Sequence, residues 1–179
     1  MDVLRYVDLP LLAPGVAGCL LVLVLTVLPA LLRGDVARAR CLGARVLFAG
    51  ALAGVLLLTL TRGSAPGGGV NLVPGAGILV QLGNVNQGLG RANIVGNVAL
   101  FVPLGLLGAP ALGWRSRRVV AGAGLLSVAI ELSQMTTGRT ADIDDVLLNT
   151  LGAVIGAVVT ATMIGAGRAR AGRSSDRST

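Results

Sequence analysis

Five long apolar segments dominate this chain and leave it few folds to choose from. They fall at about residues 10–32, 42–61, 93–112, 119–135 and 145–165. Each is long enough, or nearly so, to cross the roughly 30 Å hydrocarbon layer of a bilayer as a helix. The fourth is the shortest. Composition agrees: 54% of residues are hydrophobic and only 13% charged, where soluble domains carry about 25% charge. The expected fold is all-α, a polytopic transmembrane helix bundle of about five spans.

Arginine placement sets the expected orientation. All 15 basic residues are Arg. Arg33, Arg38, Arg40 and Arg45 flank the first loop, Arg115, Arg117 and Arg118 follow the third span, and Arg168, Arg170, Arg173 and Arg177 occupy the tail. Only Arg5, Arg62, Arg91 and Arg139 fall on the other side. That bias, alternating in register with the spans, predicts N-terminus out and C-terminus in. The first span reads as a retained helix rather than a cleaved signal peptide, because its head, with Asp2, Arg5 and Asp8, lacks a positive n-region. The tail from Ser174 to Thr179 is expected to be disordered.

Composition also excludes classes of function. The net charge of +7 comes without any basic run interleaved with aromatics, so nucleic acid is not an expected partner. The chain has no His, which rules out a His-ligated zinc site and a Ser–His–Asp triad. Cys19 lies within a span and Cys41 in a loop after it, so no disulfide joins them, and two lone thiols make a transition-metal cofactor an unneeded assumption. No cofactor is expected.

Against this apolar background, a few polar side chains carry the functional reading. Glu131 lies near the end of the fourth span, and a carboxylate in hydrocarbon costs several kcal/mol unless paired, protonated or reached by water. Gly124, Ser127, Glu131 and Gln134 follow i, i+3, i+7, i+10 spacing and form one helical stripe. Asp145, Asn149, Gly152 and Gly156 form a second, on the fifth span. Asn93 and Asn97 share a face at the start of the third. Three spans therefore direct polar ends to one leaflet. Gly152-x-x-x-Gly156 and Gly50-x-x-x-Gly54 predict close helix approach.

Simpler roles exist for each of these residues. Asp142, Asp144 and Asp145 stand where the last helix should begin, where acidic side chains cap backbone N–H groups. Asn97 and Asn149 would hydrogen-bond between helices for about 1 kcal/mol each. Arg139 would pair with an Asp in its loop. The connection from Arg62 to Ala92 begins Gly-rich and carries the apolar string Ile78-Leu-Val-Gln-Leu82; a short interfacial or re-entrant segment is expected there.

The ordered strings Asn71-Leu-Val-Pro74, Asn93-Ile-Val-Gly-Asn97-Val-Ala-Leu-Phe101-Val-Pro-Leu-Gly105, Ile130-Glu131-Leu-Ser-Gln134 and Gly138-Arg139-Thr-Ala-Asp142-Ile-Asp144-Asp145-Val-Leu-Leu-Asn149-Thr-Leu-Gly152 resemble the VanZ-like family of bacterial membrane proteins. The resemblance covers about residues 71 to 156. Gly75 stands where an aromatic would be expected after Pro74. The resemblance divides the chain into residues 1–66, two helices with a cytoplasmic Arg-rich loop; 67–166, the VanZ-like domain; and 167–179, a cytoplasmic Arg-rich tail. It implies a multi-pass protein of the bacterial cytoplasmic membrane working at the outer face of the cell envelope. The family takes its name from a protein associated with resistance to the glycopeptide teicoplanin. The motif positions implied as functional are Asn97, Glu131, Gln134, Arg139, Asp144, Asp145 and Asn149.

Two classes of function fit these residues. The first is binding or modulation of a lipid-linked cell-wall precursor, a glycopeptide or a protein partner, with Arg139 on phosphate and Gln134 and Asn149 on sugar or amide groups. The alternative is an intramembrane enzyme acting on a lipid-linked substrate, with Glu131 as general acid or base and Asp144 and Asp145 as weak candidates to ligate a divalent cation. Proton-coupled transport through Glu131 ranks third, since five spans show no inverted repeat. Binding is favoured because no Ser or Cys nucleophile stands beside the acidic cluster.

Overall fold

The computed structural model describes residues 9–60, 69–83 and 87–175. The Gly-rich start of the 62–92 connection and the last four residues of the tail lie outside them. Helix α1 (Leu9–Leu32) and α2 (Val36–Leu60) form a first hairpin. Then come a two-residue strand β1 (Val70–Asn71), a short helix α3 (Ala76–Leu82), α4 (Gln87–Leu112), α5 (Ser116–Met135), a second strand β2 (Ala141–Asp142) and α6 (Ile143–Ser175). Five of these helices, α1, α2, α4, α5 and α6, are long and apolar enough to cross a membrane. Each expected span is present, and each begins earlier than its apolar stretch. Cys41, expected in a loop, lies in the first turns of α2. Helix α6 continues to Ser175, so its arginines from Arg168 extend a helix rather than leave it.

The core sits where α2, α4, α5 and α6 meet. Phe101 is fully buried at its centre, with Val55, Leu104, Ala123, Ile130 and Ala153 around it. Helix α1 stays outside this core and packs on α2, where the Cys19 thiol lies against Gly50. Large apolar side chains elsewhere face outward, among them Leu25, Leu125, Val158 and Met163. A helix bundle in lipid loses nothing by showing such residues, because acyl chains are as apolar as Leu.

Helices α4 and α6 lie in backbone contact. A Cβ on Gly152 would collide with the Val98 carbonyl, one on Gly156 with the Val102 carbonyl and the Leu106 amide, and one on Gly105 with the Ala153 carbonyl. Small residues on both helices thus interlock. The Gly50 member of the other small-residue pair also meets a neighbour, but Gly54 faces open space. Only half of that expected contact forms.

Close approach also repairs a defect that α4 carries in its own sequence. Pro110 has no N–H, so the carbonyl of Leu106, four residues earlier, loses its intrahelical donor. The Thr160 hydroxyl of α6 donates to that carbonyl at 2.6 Å. In hydrocarbon such a group cannot turn to water, so a neighbouring helix must satisfy it. At the same end of the bundle, Arg45 of α2 donates from Nε to the Ala111 carbonyl near the end of α4, at 3.2 Å.

The connections at the opposite end are tied together. Strands β1 and β2 pair in parallel, Val70 opposite Ala141 and Asn71 opposite Asp142. The expected short segment in the long connection is α3. It packs along the start of α4, where the Gln81 carbonyl comes so close to Gly90 that no side chain would fit.

Candidate polar site at one end of the bundle

The site is built from the end of α5, the start of α6, the start of α4 and the β1–α3 segment. The turn that follows α5 ends at Gly138, whose φ of +77° a side chain would disfavour. The reversal is closed by the Arg139 amide donating to the Gln134 carbonyl at 3.2 Å. This turn brings residues 139–145 back over the end of α5, and so places Glu131 beneath the start of α6.

Glu131 is 5% exposed. Its Oε2 accepts the backbone amide of Asp142 at 2.9 Å. One turn toward the middle of the bundle, Ser127 is fully buried and accepts Nδ2 of Asn149 at 2.8 Å. One turn the other way, Gln134 is also buried. The expected stripe on α5 is therefore a buried face. Asn149 is 3% exposed, and among the described residues its Oδ1 has no hydrogen-bond donor. The second stripe, on α6, points inward too, with Asp145 Oδ1 accepting Nδ2 of Asn97 from α4 at 2.5 Å. Asn93, one turn from Asn97, is exposed.

The three aspartates divide their work. Asp142 Oδ1 accepts the Asp144 amide at 2.9 Å, capping the start of α6 as expected, and also Nδ2 of Asn71 at 3.1 Å. Asp144 does something else. Its side chain is fully buried, and its two oxygens accept the Gly75 amide at 2.6 Å and the Ile78 amide at 3.1 Å. Gly75 supplies no side chain to cap α3, so a carboxylate from α6, 69 residues on, caps it instead. Gly75 itself sits at φ +86°, the left-handed entry that brings its amide toward that carboxylate.

This arrangement bears on metal binding. Both Asp144 oxygens are engaged by amides, and Asp145 faces Asn97. Among the described residues, no group of three or more His, Cys, Asp or Glu side chains is placed to hold a metal ion.

Arg139 is half-buried, and among the described residues its hydrogen bond goes to a backbone carbonyl. It donates from Nη1 to the Thr59 carbonyl at the end of α2, at 3.3 Å, and Gln134 Nε2 donates to the same oxygen at 3.2 Å. Helix ends leave their last carbonyls without intrahelical donors, and a cation there also suits the helix dipole. Sequence reasoning missed this pairing, along with Asn71 and Thr59. Asn71 stands in one of the strings that carry the family resemblance, which was its only signal.

All seven motif positions thus lie at one end of the bundle, on α4, α5, α6 and the turn between the last two. The fold and site define a multi-pass helical membrane protein with a buried, acid-rich polar cluster at the mouth of its bundle. The VanZ/LLP1 family model matches residues 16–164, which takes in the first two spans as well as the motif region. The chain belongs to the VanZ/LLP1 family. Comparison with curated proteins and with solved structures returned no match.

Proposed function

We propose that this protein binds a lipid-linked or cell-wall-related ligand at the outer leaflet of the bacterial cytoplasmic membrane, and that through this ligand it modulates the envelope, including its susceptibility to glycopeptides such as teicoplanin. The orientation belongs to the same proposal: N-terminus out, C-terminus in, polar end of the bundle outside. The observation that carries it is a buried acceptor near that end, Oδ1 of Asn149, with no donor among the described residues. It lies one turn along α6 from Asp145, and its partner Ser127 lies one turn along α5 from Glu131, where three spans meet. A buried acceptor without a donor costs about 1–3 kcal/mol, which a sugar hydroxyl or amide N–H would recover. Arg139, at the rim, offers paired donors suited to phosphate.

Binding is preferred over catalysis because Glu131, Asp142 and Asp144 hold backbone amides, as framework groups do. The test compares a polyprenyl-phosphate-linked sugar as probe, with the protein in nanodiscs. Glu131→Gln keeps an acceptor for the Asp142 amide and is expected to hold affinity within a few fold. Arg139→Ala is expected to weaken binding about tenfold, roughly 1.4 kcal/mol. Equal binding by wild type and Arg139→Ala would refute the phosphate contact. Conversion of the probe by wild type but not by Glu131→Gln would replace binding with enzymatic chemistry.

A further inference from the structure

The β1–α3 segment is built inside out. Its inward side holds Gly77, against which the Asp142 carboxylate packs, and Gln81 one turn later. Its outward side holds Leu79 and Val80, with Leu72 and Val73 beside them, all 65–73% exposed. No charged residue occurs from Gly69 to Gly83. A helix on a water-exposed surface shows the opposite arrangement, apolar toward the core and polar outward.

Two further observations say what covers this face. The segment is held in place at Gly75 and Ile78 by the Asp144 carboxylate, so the apolar side chains are presented on a fixed support. It also lies level with the first turns of α4 and α6, since Gln81 abuts Gly90 and the α3 amides meet Asp144. That is the depth at which spans of this length leave the hydrocarbon, because the 25 residues of α4 from Gly88 to Leu112 extend about 37 Å against a layer of roughly 30 Å. The apolar face continues the outward surfaces of the spans beside it, where Val95 and Leu147 are exposed.

We propose that the outward face of α3, with Leu72 and Val73, is seated among acyl chains at the headgroup boundary, making this segment a membrane-embedded wedge over the polar end of the bundle. The inference is independent of what the polar cluster binds and holds for either orientation. Its partner is the lipid leaflet itself.

The test uses the full chain in phosphatidylcholine vesicles. The single native Trp is removed by Trp114→Phe, and Val80→Trp or Leu79→Trp then serves as reporter. A reporter in the wedge is expected to emit to the blue, to lose most of its emission to lipids brominated near the headgroup end of the chains, and to be shielded from aqueous iodide. Quenching by iodide and not by bromolipid would overturn the proposal by placing α3 in water. Resistance to both would overturn it as well, by assigning the face to a protein neighbour. If either reporter fails to give a monodisperse protein, Leu72→Trp reads the same surface.

Discussion

Gly152→Leu is expected to drive α4 and α6 apart and to be among the most destabilising single changes available in this chain. The new side chain would enter the space of the Val98 carbonyl and the Phe101 Cβ. Overpacking a core costs about 1–3 kcal/mol when neighbouring side chains can move aside. Here the obstacle is backbone, in a helix whose Leu106 carbonyl also depends on Thr160 across the same interface. A cost of about 3 kcal/mol or more follows, since the overpacking and the lost hydrogen bond act together. The measurement is thermal unfolding in detergent, with Gly54→Ala as the comparison. Gly54 belongs to the same small-residue spacing but meets nothing, so its change should be near neutral or slightly favourable. Similar melting of both variants would show that α4 and α6 do not touch as described.

The second large effect lies at Asp144. Asp144→Ala removes the acceptor for two amides in a site with no exposure at all. Hydrogen bonds to a charged group contribute about 1.5–3 kcal/mol each, and stranded donors add their own penalty. The whole of that cost need not fall on global unfolding, because α3 is only seven residues long and would come loose by itself at lower cost. The expected signature is thus local: hydrogen exchange at the amides of Gly75 and Ile78 loses its protection, while the core around Phe101 keeps its own. Asp144→Asn, which retains one acceptor oxygen, should fall between. Unchanged exchange in the Ala variant would mean that α3 is held by other contacts.

These two sites mark how far the sequence could be read. The spans were legible because hydrophobic length is a strong, local signal, and spacing alone put Ser127, Glu131 and Gln134 on one face of α5. Spacing does not say what that face meets. Gly152 and Gly54 sit in identical patterns, yet only Gly152 abuts another helix. In the same way, acidic residues at the start of α6 suggested capping of α6, and Asp142 does that, while Asp144 caps a helix 66 to 69 residues earlier. Arg139 reaches a carbonyl 80 residues away. Partners at such separations follow from tertiary approach, not from any periodic pattern, and a two-residue pairing such as β1–β2 has no period to detect. Thr160 could have been inferred in part: Pro110 announces an orphaned carbonyl at Leu106, though not which helix will supply the donor.

The proposed function requires the ends of α4, α5 and α6 that carry Asn97, Glu131 and Asp145 to face the outside of the cell. Cysteine labelling in intact cells tests this directly, with Cys19 and Cys41 replaced by Ala. Thr137→Cys, exposed beside the polar end, and Ala37→Cys, exposed at the start of α2, report the two ends of the bundle. A membrane-impermeant maleimide should modify position 137 in intact cells and position 37 only after permeabilisation. Labelling at 37 in intact cells, with 137 protected until the membrane is opened, would contradict the account.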